Sequence, residues 1–434
     1  MKRTSVLAKM SIACALGLAV AACGSSGPSS NGQGGGSLVF AEFNPFSGPD
    51  AAFGPEMLVA CDAASNAINA AGGVLGHKTT CKGFDTHGDP ADAVAAANQM
   101  IATTSNLAGV IGPSSDEALA TVPILDRAHI PMFADTGQAA FDHATQKFFW
   151  RISPADDVKG FAMAIWAHSL GYTRGAAVYG NDVGSQSNVP TLVHAFTALG
   201  GTMVSNQSIA LDQPSYRTEV ASMLAAHPQV IFTEEDPATA ATYLSEVAQL
   251  NGGKLIPVVG TETTLEANWV QAVVRAVGGS LLKKYQVGVQ PYAPPSGPAY
   301  GPFRSALYAS KAASQSNLAV YSTDPYAMGY WDSVNLMALA MIAAKSTDPA
   351  KYNSFITAVS NPGPGKVVVS TFAAGAHALA AGKQIQYVGA SGPAVFNKWH
   401  NSTGAFEVAG YVSAGNIHLD GVVTAAQIAA ISGK

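Results

Sequence analysis

Charged side chains are scarce in this sequence, and basic clusters are absent after its N-terminal segment. Asp, Glu, Lys and Arg make up 12% of the 434 residues, and the formal net charge is −5. A protein that binds nucleic acid or an anionic membrane surface by electrostatics needs a basic patch or stripe. We therefore expect no nucleic-acid partner. The hydrophobic fraction of 48% also excludes an intrinsically disordered chain.

Long apolar runs are missing as well. After the N-terminal segment no apolar run reaches the length of about 18 residues that crosses a membrane as a helix. In that segment, basic residues from Lys2 to Lys9 precede the uncharged residues 10–20, which are too few to span a bilayer. This order of a basic and an apolar region predicts a signal peptide at residues 1–22.

The end of the predicted signal resembles the bacterial lipobox, in which small residues precede a cysteine that receives a lipid. Here Ala21 and Ala22 precede Cys23. The resemblance implies that the mature chain is exported and anchored by lipid on Cys23 to the outer face of the cytoplasmic membrane. The alternative is an ordinary secretory signal in which Cys23 is incidental. Residues 24–37 have no apolar side chain that joins a core, so 23–37 are predicted to be the lipidated cysteine and a flexible tether.

Cysteine is rare, with four in the chain. Because Cys14 lies in the predicted signal and Cys23 in the lipobox, Cys61 and Cys81 remain as a pair in an oxidising compartment. We expect a disulfide between them. Neither has a CxxC partner or a neighbouring His arranged as a ligand pair, so a metal site is not predicted.

The motifs of common enzymes are also absent. The sequence has no GxSxG elbow, P-loop or HExxH, and no GxGxxG after a predicted strand. Its ten His never form an i,i+4 pair. We therefore predict a protein without a cofactor that is not an enzyme. An α/β-hydrolase-like enzyme is the last of the alternatives, because a nucleophile and base are not found together.

What the sequence does contain is a regular alternation of short apolar runs and amphipathic runs from residue 38 onwards. This alternation is typical of parallel sheets with helical crossovers. In a first set, strands are predicted at 38–43, 79–84, 107–111 and 131–133, with helices at 55–71, 90–104 and 117–128. In a second set, helices are predicted at 156–170, 184–199, 216–226 and 237–250, with strands at 175–179, 202–209, 230–233 and 255–259.

Two such sets without a long linker predict an α/β protein of two doubly wound parallel-sheet lobes joined by a multi-stranded hinge. A polar, Pro-containing segment at 151–154 is the first crossing between them. A segment at 291–302, rich in Pro, Gly and Tyr, marks a further boundary. The predicted lobes are 38–152 plus 288–389, and 153–287 plus 390–434.

Small polar or acidic residues follow the predicted strands at the ends where ligands of open α/β sheets bind. In the first set these are hydroxyl residues at 112–116 and 134–137, next to a helix N-terminus that favours an anion. In the second set they are carboxylates at 234–236 and 262, which suit an ammonium group. A zwitterion would satisfy both walls. The plainer alternative is that these residues cap helices or form a solvated turn.

Several segments together carry a resemblance that spans nearly all of the chain from residue 38 to about 415. They are Phe46-Ser47-Gly48-Pro49, Ile68-Asn69-Ala70-Ala71-Gly72-Gly73-Val74, Asp89-Pro90, Val110-Ile111-Gly112-Pro113 and Tyr387-Val388-Gly389-Ala390-Ser391-Gly392-Pro393. They resemble the substrate-binding lipoproteins of branched-chain amino-acid-type ABC transporters, which have the type I periplasmic-binding-protein fold. The resemblance implies a monomeric extracytoplasmic receptor that closes on a small amino-acid-like ligand and delivers it to an ABC permease. The alternative is a ligand-sensing lipoprotein that docks on a signalling partner.

The resemblance also implies positions for the ligand. In that family a Ser after the Ile-Gly turn and a later residue pair hold the ligand carboxylate, and a Glu of the second lobe holds the α-ammonium. The matching positions are Ser115 (or Ser114, depending on where a one-residue deletion falls), Asp135 and Thr136 for the carboxylate, and Glu262 for the ammonium.

Other ligand positions depart from the family. Phe53 stands where an aromatic side chain often packs against the ligand. Val183 stands where many members have Tyr, and Glu235 or Asp236 replaces a Tyr that commonly lines the second lobe. These departures shift the expected ligand from Leu, Ile or Val towards a more polar or cationic amino acid or an amide.

Overall fold

The computed structural model describes residues 36–48, 50–293, 295–310, 314–402, 404–413 and 416–432. The predicted signal peptide, Cys23 and nearly all of the tether lie outside these ranges. Within them, none of the helices is long and apolar enough to cross a membrane.

The first lobe is built on a parallel five-stranded sheet in the order β2-β1-β3-β4-β5. Its strands are β1 (Leu38–Asn44), β2 (Thr79–Asp85), β3 (Leu107–Ser114), β4 (Met132–Asp135) and β5 (Phe149–Trp150). The helices between them are α1 (Phe53–Ala70), α2 (Pro90–Thr103) and α3 (Ser115–Arg127). Their limits lie close to the predicted ones, and Asp89 caps α2 by accepting hydrogen bonds from the Ala91 and Asp92 amides.

The second lobe has a seven-stranded sheet in the order β15-β14-β10-β9-β8-β6-β7. The five strands that come first along the chain are parallel to one another. They are β6 (Arg174–Gly180), β7 (Thr202–Ile209), β8 (Val230–Glu234), β9 (Val258–Thr261) and β10 (Gln286–Pro291). Its helices are α4 (Asp156–Ser169), α5 (Val183–Gln186), α6 (Val189–Ala198), α7 (Arg217–Ala225), α8 (Pro237–Leu250), α9 (Ala267–Val277) and α10 (Gly279–Tyr285). The single helix predicted at 184–199 is therefore two, because Pro190 begins a new helix.

After β10 the chain returns to the first lobe. There it forms α11 (Tyr300–Ala309), α12 (Gln315–Tyr321), α13 (Pro325–Ala344), α14 (Pro349–Tyr352), α15 (Ile356–Ser360), β11 (Val367–Val369), α16 (Phe372–Ala380), β12 (Ile385–Gly389) and β13 (Gly392–Pro393). It then re-enters the second lobe with the antiparallel strands β14 (Phe406–Ser413) and β15 (Asn416–Val423), followed by α17 (Ala425–Ser432). The boundary predicted between 287 and 288 falls inside β10, because this strand pairs wholly within the second sheet. The boundary predicted between 389 and 390 falls before β13, which pairs with β12 in the first lobe.

Each of the two large sheets is covered by helices on both faces, and each face has its own buried cluster. On the first sheet α13 packs against α1, where Ala60, Ala63 and Ala64 are fully buried. Small side chains on α1 let the two helices approach closely. Each fully buried Leu or Met on α13 stabilises the fold by roughly 1.5–3 kcal/mol relative to an exposed one.

A disulfide and the hydrogen bonds of a buried aspartate have a structural role in the first lobe. Cys61 on α1 and Cys81 on β2 form the expected disulfide, with Cα atoms 6.0 Å apart. The buried Asp332 of α13 accepts hydrogen bonds from the Tyr387 hydroxyl and from the amides of Ala390 and Ser391, at 2.7–3.0 Å. Ser391, which belongs to one of the segments that carry the family resemblance, thus anchors a turn.

Candidate functional site

A cavity of about 270 Å³ lies between the two sheets, at the carboxyl ends of β3 and β4 in one lobe and β8 and β9 in the other. This is where the strand order of open α/β sheets leaves a crevice for ligands. Its volume is near the lower end of the roughly 300–1,000 Å³ of small-molecule sites. The cavity therefore suits a molecule of about the size of an amino acid.

The first-lobe wall presents hydroxyl groups beside the N-terminus of α3. Ser115 begins α3, and its Oγ donates to Thr136 Oγ1 at 3.3 Å. Gln138 fixes this pair by donating from Nε2 to the Ser115 carbonyl at 2.6 Å. Ser114 also lines the cavity at the N-cap position, but its side chain makes no capping bond. A helix N-terminus with nearby hydroxyls is a favourable place for a carboxylate.

A buried arginine supports that wall from behind. Arg151 donates from Nη1 to the carbonyls of Thr136 and Gln138, at 3.3 and 3.2 Å, and pairs through Nη2 with Asp142 at 2.5 Å. Three contacts to the loop after β4 fix its backbone, since a guanidinium is rigid and planar. Arg151 lies in the segment predicted to be the first crossing between the lobes.

The second-lobe wall is centred on Glu262, the first residue of a short 3₁₀ turn after β9. Its Oε1 accepts from Lys159 Nζ at 2.6 Å and from the Tyr326 hydroxyl at 2.9 Å. Its Oε2 is buried and has no hydrogen-bond partner. Lys159, with 3% of its side chain exposed, and Tyr326 were not predicted from the sequence. Oε2 is thus the oxygen that has capacity to accept from a ligand ammonium.

Glu235 is the other buried carboxyl of this wall, with a residue exposure of 2%. The Thr233 hydroxyl contacts the Val178 carbonyl at 2.7 Å and also donates to Oε2 of Glu235. Burial raises the pKa of Glu235 to about 8; the Thr233 hydrogen bond lowers it, and the charges of Asp236 and Asp182 raise it. The net upward shift of the pKa favours a protonated Glu235 at neutral pH.

Acidic groups far outnumber basic ones in the cavity. Among the described residues that line it, nine are carboxylic acids, and Lys159 is the single Lys or Arg. They are Asp50, Asp116, Asp135, Asp182, Glu234, Glu235, Asp236, Glu262 and Glu266. Burial and, after it, the neighbouring carboxylates raise the pKa of Asp50 to about 7 and that of Asp116 to about 6. The cavity therefore has an electrostatic preference for a positively charged molecule.

Hydrogen bonds between described residues of the two lobes cross at this cavity. Asp116 of α3 accepts from the Gly184 amide of α5 at 3.0 Å. Tyr326 of α13 donates to Glu262 at 2.9 Å. The lobes are thus in contact on either side of the cavity, and groups from both reach the same space.

The other residues predicted to bind the ligand do not all line the cavity. Phe53 and Asp135 line the cavity. Asp236 does so too, but one of its oxygens caps α8 by accepting from the Ala238 and Thr239 amides, at 2.8 and 3.1 Å. Val183 is 49% exposed and does not line the cavity, because the neighbouring Asp182 and Gly184 occupy that edge.

A second cavity of about 450 Å³ adjoins the first and shares part of its wall, including Phe53, Glu262 and Tyr326. It extends from the start of α1 towards α12 and β14 and has more apolar lining, with Val320 and Tyr321 on one side. Within the described ranges no three His, Cys, Asp or Glu side chains are grouped so as to hold a metal ion.

Comparisons with known proteins identify relatives of this chain. The sequence profile of a family described as "Periplasmic binding protein" matches residues 41–416. The Leu/Ile/Val-binding protein homolog 3 of Brucella melitensis is 42% identical over 57 residues, which are 13% of this chain and 16% of that protein. The match thus spans about one sixth of the relative's length.

Solved structures share the fold at low sequence identity. A leucine binding protein, LivK, of Thermotoga maritima has a TM-score of 0.69 and 18% identity, covering 89% of this chain and 98% of the other. A solute binding protein of an ABC transporter of R. palustris, in complex with benzoate, has a TM-score of 0.69 and 18% identity, covering 90% and 97%. At these identities the likeness shows a shared fold and nothing about the ligand.

Proposed function

This chain belongs to the periplasmic binding protein family, and we propose that it is the solute receptor of an ABC importer, closing on an amino-acid-like ligand and delivering it to a permease. The family resemblance and the α/β fold predicted from the sequence are confirmed. Because the family consists of binding proteins, the chain is not an enzyme. Anchorage outside the cytoplasmic membrane through lipid on Cys23 is part of the proposal.

One observation carries the proposed ligand class. Across a cavity of amino-acid size, the Ser115–Thr136 hydroxyl pair at the N-terminus of α3 faces a wall that holds the unpartnered Oε2 of Glu262. An α-carboxylate fits the first group and an α-ammonium fits the second. Because these groups belong to different lobes, a zwitterion contacts both only when the lobes are closed, and its binding favours closure.

The Lys159 contact gives Glu262 a defined role in this proposal. Oε1 already accepts two hydrogen bonds, so the carboxyl group is held in place before a ligand arrives. The ammonium then binds Oε2 without displacing Lys159. A benzoate-like anion without an ammonium would leave Oε2 without a partner and would meet the other carboxylates of the cavity.

Calorimetry with the full chain in mild detergent, against a panel of amino acids and amides, tests this function. For the amino acid that binds best, Glu262→Gln should weaken affinity by about 30-fold or more, the effect of removing one partner of a buried charge pair. Asp92→Asn, an exposed acidic position on α2, is the matched control and should bind like wild type. Unchanged affinity in Glu262→Gln would show that the ammonium binds elsewhere, and no binding across the panel would exclude an amino-acid ligand.

A further inference from the structure

We propose that the cavity contains a second charge-recognition subsite, centred on Glu235, which binds the cationic side chain of a basic amino acid. This inference rests on the proposed function, since the α-carboxylate and α-ammonium are taken to bind at Ser115–Thr136 and Glu262. It adds the substrate class, namely an amino acid whose side chain ends in an ammonium or guanidinium group.

Glu235 has the properties of a ligand-binding group, because the protein itself engages only part of its carboxyl group. It lines the cavity, is 2% exposed, and its Oε1 is buried without a hydrogen-bond partner. Only Oε2 is engaged, by Thr233. A buried oxygen without a partner costs free energy, so its position beside a cavity indicates a partner from outside the chain.

Carboxyl groups of both lobes line the cavity together with Glu235. Asp50 and Asp116 belong to the first lobe, and Asp182 and Asp236, whose charges act on Glu235, belong to the second. Asp182 and Asp236 are fixed by capping bonds to backbone amides, and Asp116 is fixed by the Gly184 amide. These backbone contacts position the carboxylates but do not supply a formal positive charge.

Among the described residues that line the cavity, the single Lys or Arg already pairs with the other carboxyl site. Lys159 pairs with Glu262 at 2.6 Å, on the wall assigned to the α-ammonium. A neutral or anionic side chain bound near Glu235 would leave the acidic cluster uncompensated in a partly desolvated space. A side-chain cation would neutralise part of it and supply donors for Oε1 of Glu235.

The cation is organic rather than metallic. In the described part of the chain no group of three or more His, Cys, Asp or Glu is arranged to hold a metal ion. An ammonium carries three donors and a guanidinium carries five, so either can bridge carboxylates that are too widely spaced to share one metal ion.

Binding of such a side chain also changes the protonation of Glu235. Glu235 accepts a hydrogen bond from the Thr233 hydroxyl, and burial raises the pKa of Glu235 to about 8. A cation beside it favours the ionised form, so the carboxyl releases its proton near neutral pH. Uptake of a basic amino acid is therefore coupled to proton release, whereas a neutral amino acid of the same shape leaves Glu235 protonated.

Two pairs of probes that differ in charge but little in shape test the inference: L-arginine with L-citrulline, and L-lysine with L-norleucine. Calorimetry of the full-length wild-type chain should give an affinity about 30-fold or more higher for the basic member of a pair. Glu235→Gln should abolish most of this preference while leaving the affinity for citrulline or norleucine within about threefold. Titrations in buffers of different ionisation enthalpy should show proton release with the basic member only.

The outcomes separate the subsite from the receptor function. Equal binding of the basic and neutral members to wild type, or an equal loss of both in Glu235→Gln, would overturn the subsite while the amino-acid receptor stands. No binding of any amino acid would exclude the amino-acid ligand on which the subsite rests. If Glu235→Gln does not fold, the wild-type comparison and the proton release still decide the matter. Asp92→Asn is the control for the loss of one negative charge away from the cavity.

Discussion

Replacing Glu235 by Gln should make the ligand-free protein more stable at alkaline pH and leave its stability unchanged in acid. Gln has the shape of a protonated Glu, and its amide oxygen can accept from the Thr233 hydroxyl as the carboxyl oxygen does. The substitution therefore keeps the local hydrogen bond and removes only the titration. Any pH-dependent difference between the two proteins reports the cost of ionising this buried carboxyl.

The size of the effect follows from the pKa of Glu235, which burial raises from 4.5 to about 8. The folded state then binds more protons than the unfolded state between these two values, so stability falls as pH rises through this window. The stabilising contribution is complete below pH of about 4.5 and is lost above pH of about 8. A shift of about 3.5 pKa units corresponds to about 5 kcal/mol. This is an upper bound, because opening of the lobes admits water to the carboxyl.

Denaturant unfolding at pH 5, 6.5 and 8 measures the difference in unfolding free energy between Glu235→Gln and wild type. We expect almost no difference near pH 5 and a gain of several kcal/mol for the variant near pH 8. Other cavity groups with a raised pKa, such as Asp50 and Asp116, titrate in both proteins and cancel. A pH-independent difference would refute the reasoning, and so would a wild type that is more stable than the variant at pH 8.

Two further predictions concern the first lobe. Replacing both Cys61 and Cys81 by Ala should cost about 3 kcal/mol of unfolding free energy, from the chain entropy of a loop closed over 20 residues, and the variant's denaturation midpoint should no longer respond to a reductant. Asp332→Ala should cost about 3 kcal/mol or more, because the buried amides of Ala390 and Ser391 lose their acceptor. A thermal midpoint close to that of Asp92→Asn would contradict the second prediction.

Much of the fold could be predicted because it depends on local patterns. Alternating apolar and amphipathic runs place the strands and helices of both sets within a few residues, and caps such as Asp89 mark helix starts. The crossing points between lobes were harder to place. β10 lies in the second sheet because it pairs with β9 and β14, and no property of residues 286–291 alone indicates those partners.

In the candidate site, too, local patterns could be predicted and contacts between distant segments could not. Ser115, Thr136 and Glu235 could be predicted as cavity residues because each follows the carboxyl end of a parallel strand in its own sheet. Lys159 lies in α4 of the second lobe, as Glu262 does, whereas Tyr326 lies in α13 of the first lobe and reaches Glu262 across the contact between the lobes. A lysine in the first turn of α4 gives no local signal for such a contact, except that Lys is rare in this chain.

Because charged residues are scarce in this chain, the concentration of acidic residues in one cavity indicates a function for that cavity. Nine of the 28 Asp and Glu residues of the chain line one space of about 270 Å³, where burial and mutual repulsion raise the pKa of several of them. This arrangement destabilises the ligand-free fold as pH rises, whereas a cationic ligand binds the ionised cluster better as pH rises. A purely structural carboxyl gives only the first dependence. Opposite pH slopes for stability and for arginine affinity, both reduced by Glu235→Gln, would therefore identify the cluster as a binding site for a cation.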